Sequence, residues 1–179
     1  MKHVLIIGGT GMLAGLSAEL ADHGVKVSVI GRNEERHESV KRMSQKPENI
    51  ISLVIDHSYH HTLKEQLMKT MEENGPIDTV IAWVESIVTL EYIVNYVSIS
   101  AESFRLFHVR GSRRYFEDQK LTVPFNCLVR KVYLGFILSG NSSRWLTNEE
   151  ISNGVLHAVQ HDLVSSVVGT IEPYEKRPQ

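Results

Sequence analysis

Val4-Leu5-Ile6-Ile7-Gly8-Gly9-Thr10-Gly11-Met12-Leu13-Ala14-Gly15 decides how the rest of the chain is read. A β-branched and aliphatic run passes at once into a glycine-rich turn, and an apolar helical pattern (Leu13, Leu16, Leu20) follows. Strand, glycine turn and helix in that order form the context in which a phosphate-binding loop is credible. Gly8 lets the chain turn sharply off the strand. Gly11 lets backbone approach a pyrophosphate, and Ala14 is small enough for close helix–strand packing. The free N–H groups and dipole of the helix's first turn then favour the anion.

Outward from this stretch, apolar runs alternate with helical patterns. The first helix is expected to stop at Gly24, and Val25–Ile30 is the second strand. Asn33 is placed to cap a charged helix running through Lys41. Ile50–Ile55 is the third strand. Leu63, Leu67 and Met71 mark a helix that ends at Asn74-Gly75-Pro76. Ile77–Val84 is the fourth strand. Residues 86–99 have β-branched content, but a parallel sheet needs a crossover there, so a helix is expected. Phe104–Val109 is the fifth strand, 113–125 is polar and irregular, and a sixth strand runs from about Leu128 to Ile137. Thr147-Asn148-Glu149-Glu150 is a capping box for the last helix. Val167–Ile171 closes the set, and 173–179 is a loose tail. The expected fold is α/β: one doubly wound parallel sheet of about seven strands, a Rossmann domain over residues 1–172.

With 179 residues, 42% hydrophobic content and a formal charge of −2, the chain has the balance of an ordinary globular domain. Neither a basic stripe for nucleic acid nor an apolar run long enough to span a bilayer is present. The first strand starts too early to leave room for a signal peptide. The single cysteine, Cys127, excludes an internal disulfide and reads as packing. A cytoplasmic protein is expected.

Ligands of doubly wound sheets sit beyond the carboxyl ends of the strands. That makes site candidates of Gly8, Gly9, Thr10, Gly11, Met12 and Leu13, then Arg32 and Asn33, Asp56 and His57, Ala82 and Trp83, Gly111 and Ser112, and the residues after Ile137. An acid at position 31 would accept the ribose hydroxyls of NAD. Gly31 removes that charge, and the Arg32 guanidinium can fork onto a 2′-phosphate, so NADP is favoured over NAD. The histidines at 57, 60, 61, 157 and 161 lack carboxylate or cysteine partners at a metal-binding spacing, and no metal is expected.

Together these strand ends resemble the short-chain dehydrogenase/reductase superfamily over nearly the whole chain. Gly8-x-x-Gly11-x-x-Ala14 looks like a variant of its glycine loop. The resemblance makes Asp56 the acidic residue that recognises the adenine ring. It also sets Ile137, in Leu134-Gly135-Phe136-Ile137-Leu138-Ser139, where a backbone meets the nicotinamide carboxamide. The departures are equally plain. Ala82-Trp83-Val84-Glu85 stands where the family has Asn-Asn-Ala-Gly. Ser112 could stand for the active-site serine, but Tyr-x-x-x-Lys is absent: Tyr115 has Gln119 at +4, and Lys120 at +5 points about 140° away around a helix. No residue set for catalysis is therefore assigned, and Ser112 and Tyr115 are the donors to test. Two functions follow: an NADP-dependent oxidoreductase with an altered active site, or a non-catalytic dinucleotide-binding module. The family's dimerisation through the helix after the fourth strand, with the apolar residues of 86–99, implies a homodimer unless 113–125 folds over them.

Overall fold

The computed structural model describes residues 1–117 and 119–179. In chain order the elements are β1 (His3–Ile7), α1 (Ala14–Asp22), β2 (Lys26–Gly31), α2 (Glu34–Met43), β3 (Ile50–Val54) and α3 (His60–Asn74). They continue with β4 (Thr79–Ala82), α4 (Ile87–Val97), β5 (Phe104–Gly111) and α5 (Arg113–Phe116). The last are β6 (Cys127–Leu134), β7 (Phe136–Ser139), β8 (Ser142–Trp145), α6 (Asn148–Gln160) and β9 (Ser165–Val168). Seven strands form one parallel sheet in the order β3-β2-β1-β4-β5-β6-β9.

Every residue of β1 is buried, which is why Val4–Ile7 is an unbroken apolar run rather than an alternation. One face of the sheet packs Val4, Ile6 and Val29 against Leu16, Leu20, Val40, Val155 and Val159 of α1, α2 and α6. The other packs Leu5, Ile7 and Val80 against Leu63, Leu67, Leu90 and Val94 of α3 and α4. Because all seven strands run the same way, all their carboxyl ends meet at one edge, and the glycine turn lies at its middle.

The helix expected at 86–99 is α4, and Ser86 caps it by accepting from the N–H of Thr89. The sixth strand is shorter than its sequence suggests: β6 ends at Leu134, and Phe136–Ile137 belongs to a separate antiparallel hairpin with β8. A Cβ on Gly135 would lie 2.0 Å from the carbonyl oxygen of Thr170, so backbone meets backbone there and the chain leaves the sheet. Arg144 of β8 holds Glu150 through two 2.8 Å bonds, tying the hairpin to the capping box of α6. Those bonds, with the N–H of Thr147, hold the Glu150 carboxyl down at about 2. Residues 113–125 are not wholly irregular, since they open with α5. Their later part folds over α4: the N–H of Thr122 donates to Glu91 at 2.7 Å, and Leu121 and Val123 join the α3–α4 core. This is the alternative arrangement for the apolar face of 86–99, which leaves Val88 and Ile99 exposed. The tail contains a short turn, Tyr174–Lys176, with the Tyr174 ring 4.9 Å from that of Phe116.

A buried polar chain ties β1, β2 and α3 together. His3 Nδ1 donates to the carbonyl of Gly75 at 2.7 Å, so its Nε2 accepts from the Ser28 hydroxyl at 2.8 Å. Ser28 in turn accepts from Thr70 at 2.8 Å. Burial pushes the His3 pKa below its ordinary 6.5, against the opposing pull of the Gly75 carbonyl and Asp78. His37 is lowered for the same reason. The unfolded chain then takes up more protons below about pH 6.5, and stability is lost as pH falls from there towards the native pKa values. The urea midpoint is expected to drop between about pH 7.5 and about pH 5.5, with a shallower drop in His3→Gln. An unchanged slope in that variant would remove His3 from the account.

Candidate nucleotide-binding site

The turn after β1 is built to expose backbone. Gly8 has φ +83°, and the N–H of Gly11 returns to the Gly8 carbonyl at 3.2 Å. A Cβ on Gly8 would sit 3.1 Å from the Trp83 carbonyl, so this glycine answers both a left-handed turn and a close neighbour. Gly9 is enclosed: its Cβ would meet Ser17 Oγ at 2.7 Å and Ile6 at 2.9 Å, and Ser17 donates to its carbonyl. Gly11 is the reverse, exposed and with only the Gly8 carbonyl oxygen, at 3.7 Å, near its would-be Cβ. The helix that follows has Leu13 at its cap position and no side chain capping it. Its first-turn N–H groups have no side-chain cap and suit a phosphate.

These residues line a cleft of about 780 Å³ above β1 and β2. Gly8, Thr10, Gly11 and Met12 form one wall, Gly31, Arg32, Asn33 and Arg36 another, and His57 and Trp83 complete it. Gly31 is glycine for a packing reason: a Cβ there would lie 2.8 Å from Thr10 Oγ1 and 3.2 Å from His37 Nε2. An acidic side chain at this point would have to displace both. Arg32 is exposed, with Nη1 3.9 Å from Asp56. Ser58, through its N–H and hydroxyl, and then Arg32 hold Asp56 below the usual carboxylate range. Asn33 accepts from the N–H of Arg36 and so caps α2. His57 Nδ1 is buried without a hydrogen-bond partner and belongs to a cleft wall.

Not every candidate faces this cleft. Leu13 is fully buried in the α1–α6 core, and Ala82 points into the opposite core against α3 and α4. Ile137 pairs with Arg144 in the β7–β8 hairpin, three residues past the end of β6. Arg36 was not among the candidates; its spacing of four from Arg32, in the first turn of a helix, was the available signal.

Trp83 stands at the centre of the edge. Its Cδ1 lies 3.5 Å from where Gly8 would carry a Cβ, and its Cη2 lies 4.0 Å from the same point on Gly111. The indole therefore reaches from above β1 to above β5. Beyond it opens a second chamber of about 380 Å³, walled by Met12, Ser112, Leu134, Trp145, Leu146 and Tyr174. Ser112 lines this chamber and is buried. Tyr115 packs edge-on against Tyr133 at 5.1 Å and Phe116 at 5.3 Å, and it is not among the chamber's walls. No three His, Cys, Asp or Glu side chains come together as a metal site among the described residues. Cys127 is free and buried, and burial pushes its thiol up to about 12.

This arrangement is the fold of the short-chain dehydrogenase/reductase superfamily. A betaketoacyl-ACP reductase from Bacteroides thetaiotaomicron is similar with a TM-score of 0.71 at 14% identity, over 98% of this chain and 100% of that one. An NAD+-bound xylitol dehydrogenase gives 0.72 at 12% identity, over 93% and 96% of the two chains. An apo SCOR enzyme from Clostridium thermocellum gives 0.70 at 15% identity, over 94% and 90%. No protein-family model and no curated protein matches the chain. At these identities the likeness is one of fold, and the site must be argued from its own residues. No helix among the described residues is long and apolar enough to cross a membrane.

Proposed function

We propose that the chain binds NADP(H) across this edge and acts as an oxidoreductase with a non-standard active site. The observation that carries the reading is the side-by-side placement of the open Gly11 turn, with its uncapped helix, and two guanidinium groups, Arg32 and Arg36, in one cleft. The turn suits a pyrophosphate, and the arginines suit a 2′-phosphate, a group NAD does not have. His57, on the cleft wall, and Asp56 beside Arg32 are assigned the adenine end. The nicotinamide end, which supplies hydride chemistry when bound, fits the apolar chamber beyond Trp83. There Ser112, with Tyr174 on the same wall, offers a hydroxyl to hold or pass a proton.

Arg32→Ala is expected to weaken NADPH binding about tenfold, the scale of one exposed charge-assisted pair, and to leave NADH unchanged. Titration calorimetry with both nucleotides checks this. Equal losses for the two would detach the 2′-phosphate from Arg32.

A non-catalytic nucleotide-binding module is the second reading. It is favoured by Tyr115, which packs against other aromatic rings instead of walling the chamber, and by the missing Tyr-x-x-x-Lys. The 113–125 segment covers part of α4, so a homodimer belongs to this proposal only through the part left open, at exposed Val88. Val88→Glu should then lower the sedimenting mass, and a wild-type monomer at high micromolar concentration would remove the dimer. A reducing compartment such as the cytoplasm suits the free Cys127.

A further inference from the structure

Gly31, the last residue of β2, does not have a positive φ, so its backbone conformation is open to any residue. Space is what makes it glycine. A Cβ there would lie 2.8 Å from Thr10 Oγ1, 3.0 Å from Thr10 Cγ2 and 3.2 Å from His37 Nε2. The two crowding side chains come from different elements, Thr10 from the glycine turn and His37 from α2. His37 is 1% exposed, and its Nε2–H donates to the Gly31 carbonyl at 3.1 Å. The same carbonyl accepts from the N–H of Ile55 at 3.0 Å, and Gly31 pairs with Val54 of β3, so the strand end is held from both sides. The N–H of His37 donates in turn to the Asn33 carbonyl at 3.3 Å, which ties the imidazole into the start of α2. Thr10 and Gly31 line the nucleotide cleft, whereas His37 is not part of its wall.

We propose that Thr10 and His37 fix the nucleotide preference of this cleft by filling the room that an acidic side chain at position 31 would need. A carboxylate at this strand end is the group that accepts a ribose 2′-hydroxyl, and an arginine nearby is the group that takes a 2′-phosphate. With the first excluded by packing, the second is left to Arg32 and Arg36 on the cleft wall. The preference is then a property of residues packed around Gly31 and not of Arg32 alone, whose side chain is 77% exposed and only weakly paired with Asp56. His37 is a positioning residue here: it touches Gly31 and leaves the nucleotide to others. The preference rests on the nucleotide reading. The packing of Thr10 and His37 on Gly31 does not.

Two measurements on the full chain separate packing from preference. The first needs no ligand. Gly31→Ala is expected to lower the urea midpoint of the native chain, and to lower it much less in a Thr10→Ala, His37→Ala background where the crowding atoms are gone. The second compares NADH and NADPH by titration calorimetry. Gly31→Asp alone should destabilise the chain and weaken both nucleotides. In the double-alanine background, Gly31→Asp should tighten NADH about tenfold and weaken NADPH about tenfold, each against that background with glycine. A merely structural role for His37 and Thr10 would move both nucleotides together. If the double variant does not fold, Thr10→Ala alone removes the two nearest atoms and carries the same comparison at smaller amplitude. A native-background Gly31→Asp chain that unfolds at the wild-type midpoint and turns to NADH overturns the proposal. So do equal Gly31→Ala losses in the two backgrounds, or a relieved Gly31→Asp chain whose preference is unchanged. A native chain that binds neither nucleotide sinks the nucleotide reading, and the preference with it, while the ligand-free comparison still reports the packing.

Discussion

Gly11→Val is expected to leave a folded protein that has lost NADP(H) binding by 100-fold or more, about 3 kcal/mol at about 1.4 kcal/mol per tenfold. The two halves of this result have separate causes. Gly11 does not have a positive φ, and its would-be Cβ has only the Gly8 carbonyl oxygen nearby, at 3.7 Å, so the loop can accept a branched side chain. The space that side chain enters is the cleft itself, since Gly11 forms part of its wall. A phosphate and a valine cannot share it. Gly9→Val makes the contrast, because its Cβ would press on Ser17, Ile6 and Val29 at 2.7–2.9 Å inside the core. That variant should fail by unfolding rather than by losing ligand. Thermal melts with calorimetry separate the two failures, and a Gly11→Val protein that bound NADPH at wild-type strength would place the phosphate site elsewhere.

Gly9 and Gly11 also show how far the sequence could be read. The glycine spacing marked the turn, but which glycine faces ligand and which faces core depends on Ser17 and Val29, brought there by α1 and β2. The parallel sheet was legible because Val4–Ile7 of β1 reads as a continuous apolar run, and β2 and β4 are apolar but for Lys26, the buried Ser28 and Thr79. The same rule failed at 128–137, where the apolar pattern passes unbroken through Gly135 although the chain turns out of the sheet. Gly140-Asn141, between Ser139 and Ser142, was a two-residue hairpin signal that marks this break. Arg32, Asn33 and His57 were candidates because they follow strand ends, and all three line the cleft. Trp83 was found for the same reason, but its span from β1 to β5, which divides the edge into separate clefts, follows from side-chain packing alone.

Gly135→Ala is expected to cost about 3 kcal/mol or more of stability, at the severe end for adding one methyl group. The added carbon would lie 2.0 Å from the Thr170 carbonyl oxygen and 2.7 Å from its carbon, both backbone atoms that cannot rotate aside. Relief requires the segments to part. That puts at risk the paired 2.9 Å bonds between Phe136 and Thr170 and the 2.9 Å bond from Gly135 to Val168, each worth about 1 kcal/mol net. Phe136, fully buried, would be drawn out of its packing with them. Gly140→Ala is the control: its φ of +59° carries a modest strain, but nothing lies within 4 Å of its Cβ, so its cost should stay near 1 kcal/mol. Urea unfolding of the two variants decides the matter, and a Gly135→Ala midpoint close to that of Gly140→Ala would rule out the close backbone approach. The consequence reaches function, because Leu134, Gly135, Trp145 and Leu146 wall the apolar chamber. On the proposed binding mode, a Gly135→Ala chain that survives at low temperature should keep its affinity for adenosine 2′,5′-bisphosphate, which would contact only the Arg32 side of the edge, while binding intact NADPH more weakly than wild type.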